Sequence, residues 1–321
     1  MDHITIEVGE LTFDALAAGP RDGPLVLLLH GFPQTSYAFR HQLAVLGTLG
    51  YRAVAPDQRG YSPGARPEGV EPYTIGHLSN DVVAMADALG AKRFHLVGHD
   101  WGGAVAWVVA SRFPGRLRSL TVLSTPHYGA LSAARSRAGS DQAQRSSYFT
   151  DFAAPGAEKR LLANGAALLR DIYQGLEDGA IEVYLEALGH PEALRAALAW
   201  YGAAFGPSQP SSADDARATQ ANPSPPSRSP PISVPTLYVW STEDSAFGRE
   251  AAEATARFVG PAYRFEVIEG VGHWVAEEAR EAVTRLLVDH LADAAHGAAG
   301  EGSHVEGIHR RRPQRVTKAS R

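Results

Sequence analysis

The stretch "LVGHDWGGAVAW", residues 96–107, decides how the rest of the chain is read. An apolar run ends in Gly-His-Asp, and a helix-forming run follows at once. This pattern matches a strand, a sharp turn and a helix that together present one side chain as a nucleophile. Gly98, Gly102 and Gly103 carry no side chains, so the backbone can turn tightly and the helix can pack close. The residue at the tip is Asp100, and Trp101 after it supplies a backbone N–H. The alternative is an ordinary turn in which Asp100 caps the helix.

Three further stretches bear on that choice. "LLLHGFPQ" (27–34) ends an earlier apolar run, and the Phe32 N–H is the natural second donor beside that of Trp101 for an oxyanion hole. "GVGHWVAEE" (270–278) follows the last strand-like run and sets His273 in a glycine-flanked loop. Of the 13 histidines, His273 best fits the terminal place in the order nucleophile, acid, histidine. "VWSTEDSAF" (239–247) leaves the preceding strand with Asp244, the first choice for the acid, and Glu243, the second.

A decoy lies at "GYSPG" (60–64), which spells G-x-S-x-G. The residue after its serine is Pro63, which has no N–H to give an oxyanion. Loop composition follows it rather than a helix, so Ser62 reads as a turn residue.

A carboxylate at the elbow changes the chemistry. Its reference pKa is near 3.9, so it is ionised at neutral pH and needs no base to attack. It suits displacement at a saturated carbon, giving an alkyl ester on the enzyme. His273 would then activate a water against that ester, and the oxyanion would form between the N–H groups of Phe32 and Trp101. Epoxides and haloalkanes both fit. An epoxide leaves an alkoxide, which calls for a proton donor such as tyrosine, whereas a departing halide calls only for N–H donors.

The remaining sequence supplies a scaffold. "HITIEV" and "LTFDALAAG" read as a hairpin, and "LVLLLH", "YRAVAPD", "FHLVGH", "LRSLTVLST", "TLYVWS" and "YRFEVIE" read as further strands. Helical runs alternate with them. They cover 36–50, 73–90 (Leu78, Val82, Met85 and Leu89 on one face), 101–113, about 247–258 and 276–294. Such alternation implies an α/β fold, a mostly parallel sheet flanked by helices. The expected organisation is a core over 1–126, an inserted helical cap over 127–205, a Pro/Ser-rich disordered linker over 206–231, the core again over 232–294, and a disordered tail over 295–321. With 321 residues, 44% hydrophobic content and a formal charge of −5, nothing global points to nucleic acid. The absence of cysteine excludes thiolate chemistry and disulfides. No apolar run reaches membrane-spanning length and no signal peptide is evident, so a cytoplasmic location is expected.

The pieces "HGFPQ", "DQRGYSPG", "GHDWGG", "STPH", "TEDSAF" and "GVGHW", spread over residues 30–274, resemble α/β-hydrolases of the epoxide hydrolase family. The resemblance implies the α/β-hydrolase fold, no cofactor and no metal. It also implies two cap tyrosines that hold the epoxide oxygen. "SSYFTDFAAPG" (146–156) resembles one such segment and offers Tyr148; "LAWYGAAF" (198–205) resembles the other and offers Tyr201. Tyr73 and Tyr128 are further candidates to line the site. Gly202 departs from the family motif, which often has arginine there, and the 206–231 insert stands where a short connection is usual.

Haloalkane dehalogenases share the elbow, and Trp101 could serve as a halide donor, but many carry Asn in place of Phe32. Fluoroacetate-type dehalogenases usually have Arg in place of Trp101. The expected function is therefore hydrolysis of a small hydrophobic epoxide to a vicinal diol, acting on neither nucleic acid nor membrane. A homodimer is compatible with this reading. Dehalogenation with the same aspartate, or ligand binding without catalysis, are the alternatives.

Overall fold

A computed structural model describes residues 1–206 and 230–300. Most of the expected 206–231 linker, and the tail beyond residue 300, lie outside the described residues. Eight strands form one sheet in the order β1-β2-β4-β3-β5-β6-β7-β8. They are β1 (Asp2–Val8), β2 (Leu11–Ala18), β3 (Leu25–Leu29), β4 (Arg52–Pro56), β5 (Phe94–His99), β6 (Leu117–Leu123), β7 (Thr236–Ser241) and β8 (Tyr263–Ile268). β1, β2 and β4 pair antiparallel, and every pairing from β4 through β8 is parallel.

The burial patterns follow from these positions. β3, β5 and β7 are buried at every residue, because helices cover both faces of the parallel part. β1, at the edge, exposes most of its side chains. Helix α1 (Arg40–Thr48) joins β3 to β4, which lies on one side of β3. α2 (Ile75–Ala88) carries the chain back to β5 on the other side, and α3 (Trp101–Arg112) continues to β6. Right-handed crossovers running in opposite directions place α1 and the α2–α3 pair on opposite faces. The order therefore reverses at β3, and the crevice beyond the carboxyl ends of β3 and β5 is where a ligand site is expected in such a sheet.

Between β6 and β7 the described chain is helical: α4 (Tyr128–Ser136), α5 (Gln142–Arg145), α6 (Tyr148–Ala153), α7 (Ala157–Ile172), α8 (Asp178–Leu188) and α9 (Pro191–Phe205). α7 breaks at residues 163–166, where Asn164, Gly165 and Ala166 take positive φ. Polar contacts seat this cap on the sheet loops. The Trp200 indole donates to the Arg59 carbonyl at 2.8 Å, and the Tyr173 hydroxyl to the Pro33 carbonyl at 2.5 Å. Arg59 is itself locked by two bonds to Asp81, at 2.7 and 2.6 Å. Gly202 leaves α9 uninterrupted, and a side chain there would press against Val70.

The chain returns through α10 (Arg249–Ala254), α11 (Val275–Glu278) and α12 (Arg280–Gly300). Some boundaries differ from those read in the sequence. The helix expected from residue 36 opens with a 3₁₀ turn, Ser36–Phe39. The helix expected from 276 starts at Val275 and divides at Ala279, which takes φ −117° and ψ 38°; Glu278 turns back to accept from the N–H groups of Gly272 and Trp274, each at 3.1 Å. α12 runs past the expected end near 294 to Gly300, through an alanine-rich segment that favours helix.

Candidate active site

Asp100 ends β5 with φ 50° and ψ −121°, a conformation unusual for a residue with a side chain. Its side chain makes no capping bond to α3. Only its carbonyl serves the helix, accepting from the Ala104 N–H at 3.0 Å, and the Thr125 hydroxyl donates to the same carbonyl at 2.7 Å. The turn thus throws the carboxylate away from the helix and over the β3 loop. Gly31 makes that possible: a Cβ there would run into the Asp100 side chain. Gly102 has the same necessity against the Leu29 carbonyl.

The two oxygens of Asp100 have different surroundings. Oδ1 accepts the Phe32 N–H at 2.8 Å, and the Trp101 backbone N–H also favours the charged carboxylate. Oδ2 lies 3.5 Å from His273 Nε2. Burial opposes the charge on Asp100, but the His273 contact outweighs it and holds the pKa below the usual carboxylate value.

His273 leaves the loop after β8. Its Nδ1 lies 3.0 Å from Asp244 Oδ1, in the loop after β7. The same oxygen accepts the Ala246 and Phe247 N–H groups at 2.8 and 3.0 Å, while Oδ2 is buried with no partner among the described residues. Glu243 is exposed to solvent. Burial disfavours the charged imidazole, yet Asp244 and Asp100 together push the His273 pKa up to about 10. At neutral pH the resting site is therefore an Asp100 carboxylate paired with a His273 imidazolium.

An aromatic wall faces this pair. Tyr201 is buried, its ring 5.1 Å from Trp101, 5.4 Å from Phe32 and 5.2 Å from Phe152. The Trp101 side chain acts on the Tyr201 hydroxyl in the opposite sense to burial, favouring its charged form. Tyr148 is half-buried, with its ring 6.3 Å from that of Tyr201. Burial first, and then the negative charge of Asp100, lift the hydroxyl pKa of Tyr148 well above the ordinary value. For Tyr201, burial, Tyr148 and Asp100 do the same. Both phenols are thus protonated and poised to give hydrogen bonds. Tyr73 instead bonds its hydroxyl to the Pro67 carbonyl at 2.8 Å, and Tyr128 packs its ring 4.0 Å from His127.

Ser62, in the decoy motif, is fully buried and accepts the Asp14 N–H at 2.8 Å while donating to the Asp57 carbonyl at 2.7 Å. It ties the β4 loop to β2. Several residues that the motifs do not flag position the His273 loop. Ser241 donates to the Gly272 carbonyl at 2.6 Å and Ser124 to the His273 carbonyl at 2.9 Å; His99 Nε2 lies 2.9 Å from that same carbonyl. Each lies inside one of the stretches "VWSTEDSAF", "STPH" and "GHDWGG", in which no role is read for it, and is a polar residue at or just beyond the carboxyl end of a buried strand. Among the described residues, no group of three or more acidic or histidine side chains is placed to hold a metal ion, and no helix is long and apolar enough to cross a membrane.

Comparison with known proteins agrees with this architecture. The profile of the alpha/beta hydrolase fold family matches residues 24–279. An AB hydrolase superfamily protein of Bacillus subtilis is 32% identical over 293 residues, covering 89% of this chain and 96% of its own. Epoxide hydrolase A of Mycobacterium tuberculosis is 30% identical, with the same coverages of 89% and 96%. Among solved structures, an epoxide hydrolase from metagenomes of hot environments superposes with a TM-score of 0.77 at 27% identity, over 91% of this chain and 98% of that one. The chain therefore belongs to the α/β-hydrolase family and is a hydrolase, with relatives named as epoxide hydrolases.

Proposed function

We propose that this protein is an epoxide hydrolase that makes vicinal diols through an ester on Asp100. One observation carries the reading: Asp100 has one oxygen on the Phe32 N–H and the other facing His273, with the Trp101 N–H also favouring the carboxylate charge. Oδ2 attacks an epoxide carbon, the carbon–oxygen bond breaks, and the alkoxide takes a proton from Tyr201 or Tyr148. The Trp101 side chain favours the phenolate left behind.

Alkylation removes the negative charge of Asp100. That charge is one of the two that raise the His273 pKa, so the pKa falls in the ester state. The imidazolium gives up its proton, which restores the phenol, and the neutral imidazole becomes a base. It takes a proton from water as the oxygen adds to the Asp100 carboxyl carbon. The oxyanion forms at Oδ1, already seated on the Phe32 N–H, with the Trp101 N–H as the second donor of the expected hole. Collapse releases the diol and returns the carboxylate and the imidazolium.

Two observations favour the epoxide over a halide. Two protonated phenols stand beside the carboxylate, where an alkoxide needs protons. The Trp101 side chain, the candidate halide donor, packs edge-on against the Tyr201 ring. The names of the relatives support the same substrate class. A single turnover in heavy-oxygen water, with enzyme in excess, tests the ester route. The label is expected in the Asp100 carboxylate and not in the first diol; label in the diol would mean direct attack by water.

A further inference from the structure

A buried polar chain that the proposed reaction does not use links the base to the cap. It starts at the His273 carbonyl, 2.9 Å from His99 Nε2. His99 Nδ1 lies 3.1 Å from Gln34 Oε1, and Gln34 Nε2 lies 2.7 Å from Glu277 Oε1. That oxygen also accepts the Tyr184 hydroxyl, from cap helix α8, at 2.7 Å. Glu277 Oε2 pairs with Arg40 of α1. His99, Gln34, Arg40, Tyr184 and Glu277 are all buried, so each contact must be satisfied within the chain itself.

Donors and acceptors can be counted along it. The His273 carbonyl only accepts, so His99 Nε2 carries a proton. A neutral imidazole then has a bare lone pair on Nδ1. If Gln34 turns its oxygen to Nδ1, two acceptors meet unless His99 is an imidazolium. If Gln34 turns its amide nitrogen there instead, its oxygen faces Glu277, and Glu277 must be the acid. Both amide orientations are compatible with the same heavy-atom positions. In either one the chain holds one proton more than a neutral His99 and an ionised Glu277 supply. Burial lowers the His99 pKa to about 4 and raises that of Glu277, which favours the second arrangement. The groups facing Glu277 are Arg40, Tyr184, Gln34 and, further off, Tyr173; those facing His99 are His273, Asp100 and Asp244.

We propose that Glu277 is a positioning residue which, through one shared proton, ties the His273 loop to the cap by way of Gln34–His99 on one side and Tyr184 on the other. The inference rests on His273 acting as the base. Its consequence is that ester hydrolysis, which needs that base in place, depends on the seating of α8, whereas attack by Asp100 does not.

Glu277→Gln, with its amide nitrogen at the Oε1 position, can donate to both the Gln34 oxygen and the Tyr184 hydroxyl and turn its own oxygen to Arg40 without any extra proton, so it should keep both steps. Glu277→Ala should leave alkylation near the parent rate and slow ester hydrolysis by about 10²-fold, the scale of a base misplaced by about 1 Å. Tyr184→Phe keeps the ring stacked on Tyr173, with centroids 5.5 Å apart, and should shift the balance the same way by less. Two readouts are taken on each variant: the steady-state alkyl-enzyme fraction by intact mass, and the ring titrations of His99 and His273 by NMR without substrate. A titration moved in Glu277→Ala and restored in Glu277→Gln, with ester accumulating only in the former, is the expected result. Unmoved titrations, or equal loss of both steps in Glu277→Ala and Tyr184→Phe, would overturn the proposal. A moved titration with no alkyl-enzyme in any variant, His273→Gln included, would support the clamp and contradict the ester mechanism.

Discussion

His273 Nε2 and Asp100 Oδ2 face each other across 3.5 Å, although they lie 173 positions apart in sequence and leave different strands of the sheet. The imidazole is gripped from behind by Asp244 at 3.0 Å, and the carboxylate from behind by the Phe32 N–H at 2.8 Å. Neither ring nor carboxylate has freedom to turn away. The pair is a charge couple at rest and becomes a base and an ester when Asp100 is alkylated.

Removing the nucleophile is the first test. Asp100→Asn keeps the shape and the N–H contact but not the charge. Turnover of any epoxide substrate should fall by about 10⁴-fold or more, as for other nucleophiles acting within a catalytic unit. The variant should still fold, as read by circular dichroism; undiminished steady-state turnover would remove Asp100 from the reaction.

The tyrosines can be tested by their leaving group. Tyr148→Phe with Tyr201→Phe should slow epoxide opening by about 10²- to 10⁴-fold, the range for a lost general acid. Reaction of Asp100 with an activated bromoalkane needs no proton and should be spared. A double variant that opens epoxides at the parent rate would show that the alkoxide is protonated elsewhere.

Stability should vary with pH in a defined sense. The folded His273 pKa, about 10, stands above the model-compound value of 6.5. Its stabilisation is complete below the unfolded value and is lost as pH rises through the folded one. Asp100 behaves in the opposite way, contributing above its unfolded value and losing that contribution as pH falls through its lowered folded value. Between neutral pH and about 10, parent stability should fall with a slope of roughly one proton, and His273→Gln should lack that slope. Urea unfolding across this range reads it directly; identical slopes would place the His273 charge elsewhere.

Gly31→Ala addresses the approach of the β3 loop to the elbow. Its Cβ would collide with Asp100, so the loop must retreat and carry the Phe32 N–H away from the carboxylate. Loss of one oxyanion donor costs about 10²- to 10³-fold in kcat. A variant of full activity would show that the loop can move without cost to the reaction.

Much of this arrangement is legible in the sequence because chemistry and topology coincide there. Asp100 and Asp244 stand just beyond the fully buried strands β5 and β7, and His273 beyond the partly exposed β8, where apolar runs give way to glycine or small polar residues. Asp244 and Glu243 are adjacent and chemically alike; only the three-dimensional path of the loop turns one inward and leaves the other in solvent. Gln34, His99 and Glu277 are harder to see. Gln34 and His99 lie inside the pieces "HGFPQ" and "GHDWGG" but no role is read for them there, and Glu277 sits in "VAEE" beside the exposed-looking Glu278. They matter because three distant segments bring them together in the interior, a fact that no local pattern carries. The 3₁₀ turn at Ser36–Phe39 was hidden for a similar reason: Asp57, from a different loop, accepts the Ser36 N–H at 2.6 Å and sets that entry.

The most direct measurement is the intact mass of His273→Gln after incubation with aryl and alkyl epoxides and the matching bromoalkanes. The variant should be alkylated by Asp100 and then stall. A gain of one whole epoxide mass, localised to Asp100 on digestion, is the expected result. A gain equal to a bromoalkane less hydrogen bromide, with no epoxide adduct, would contradict the epoxide assignment and make the protein a dehalogenase.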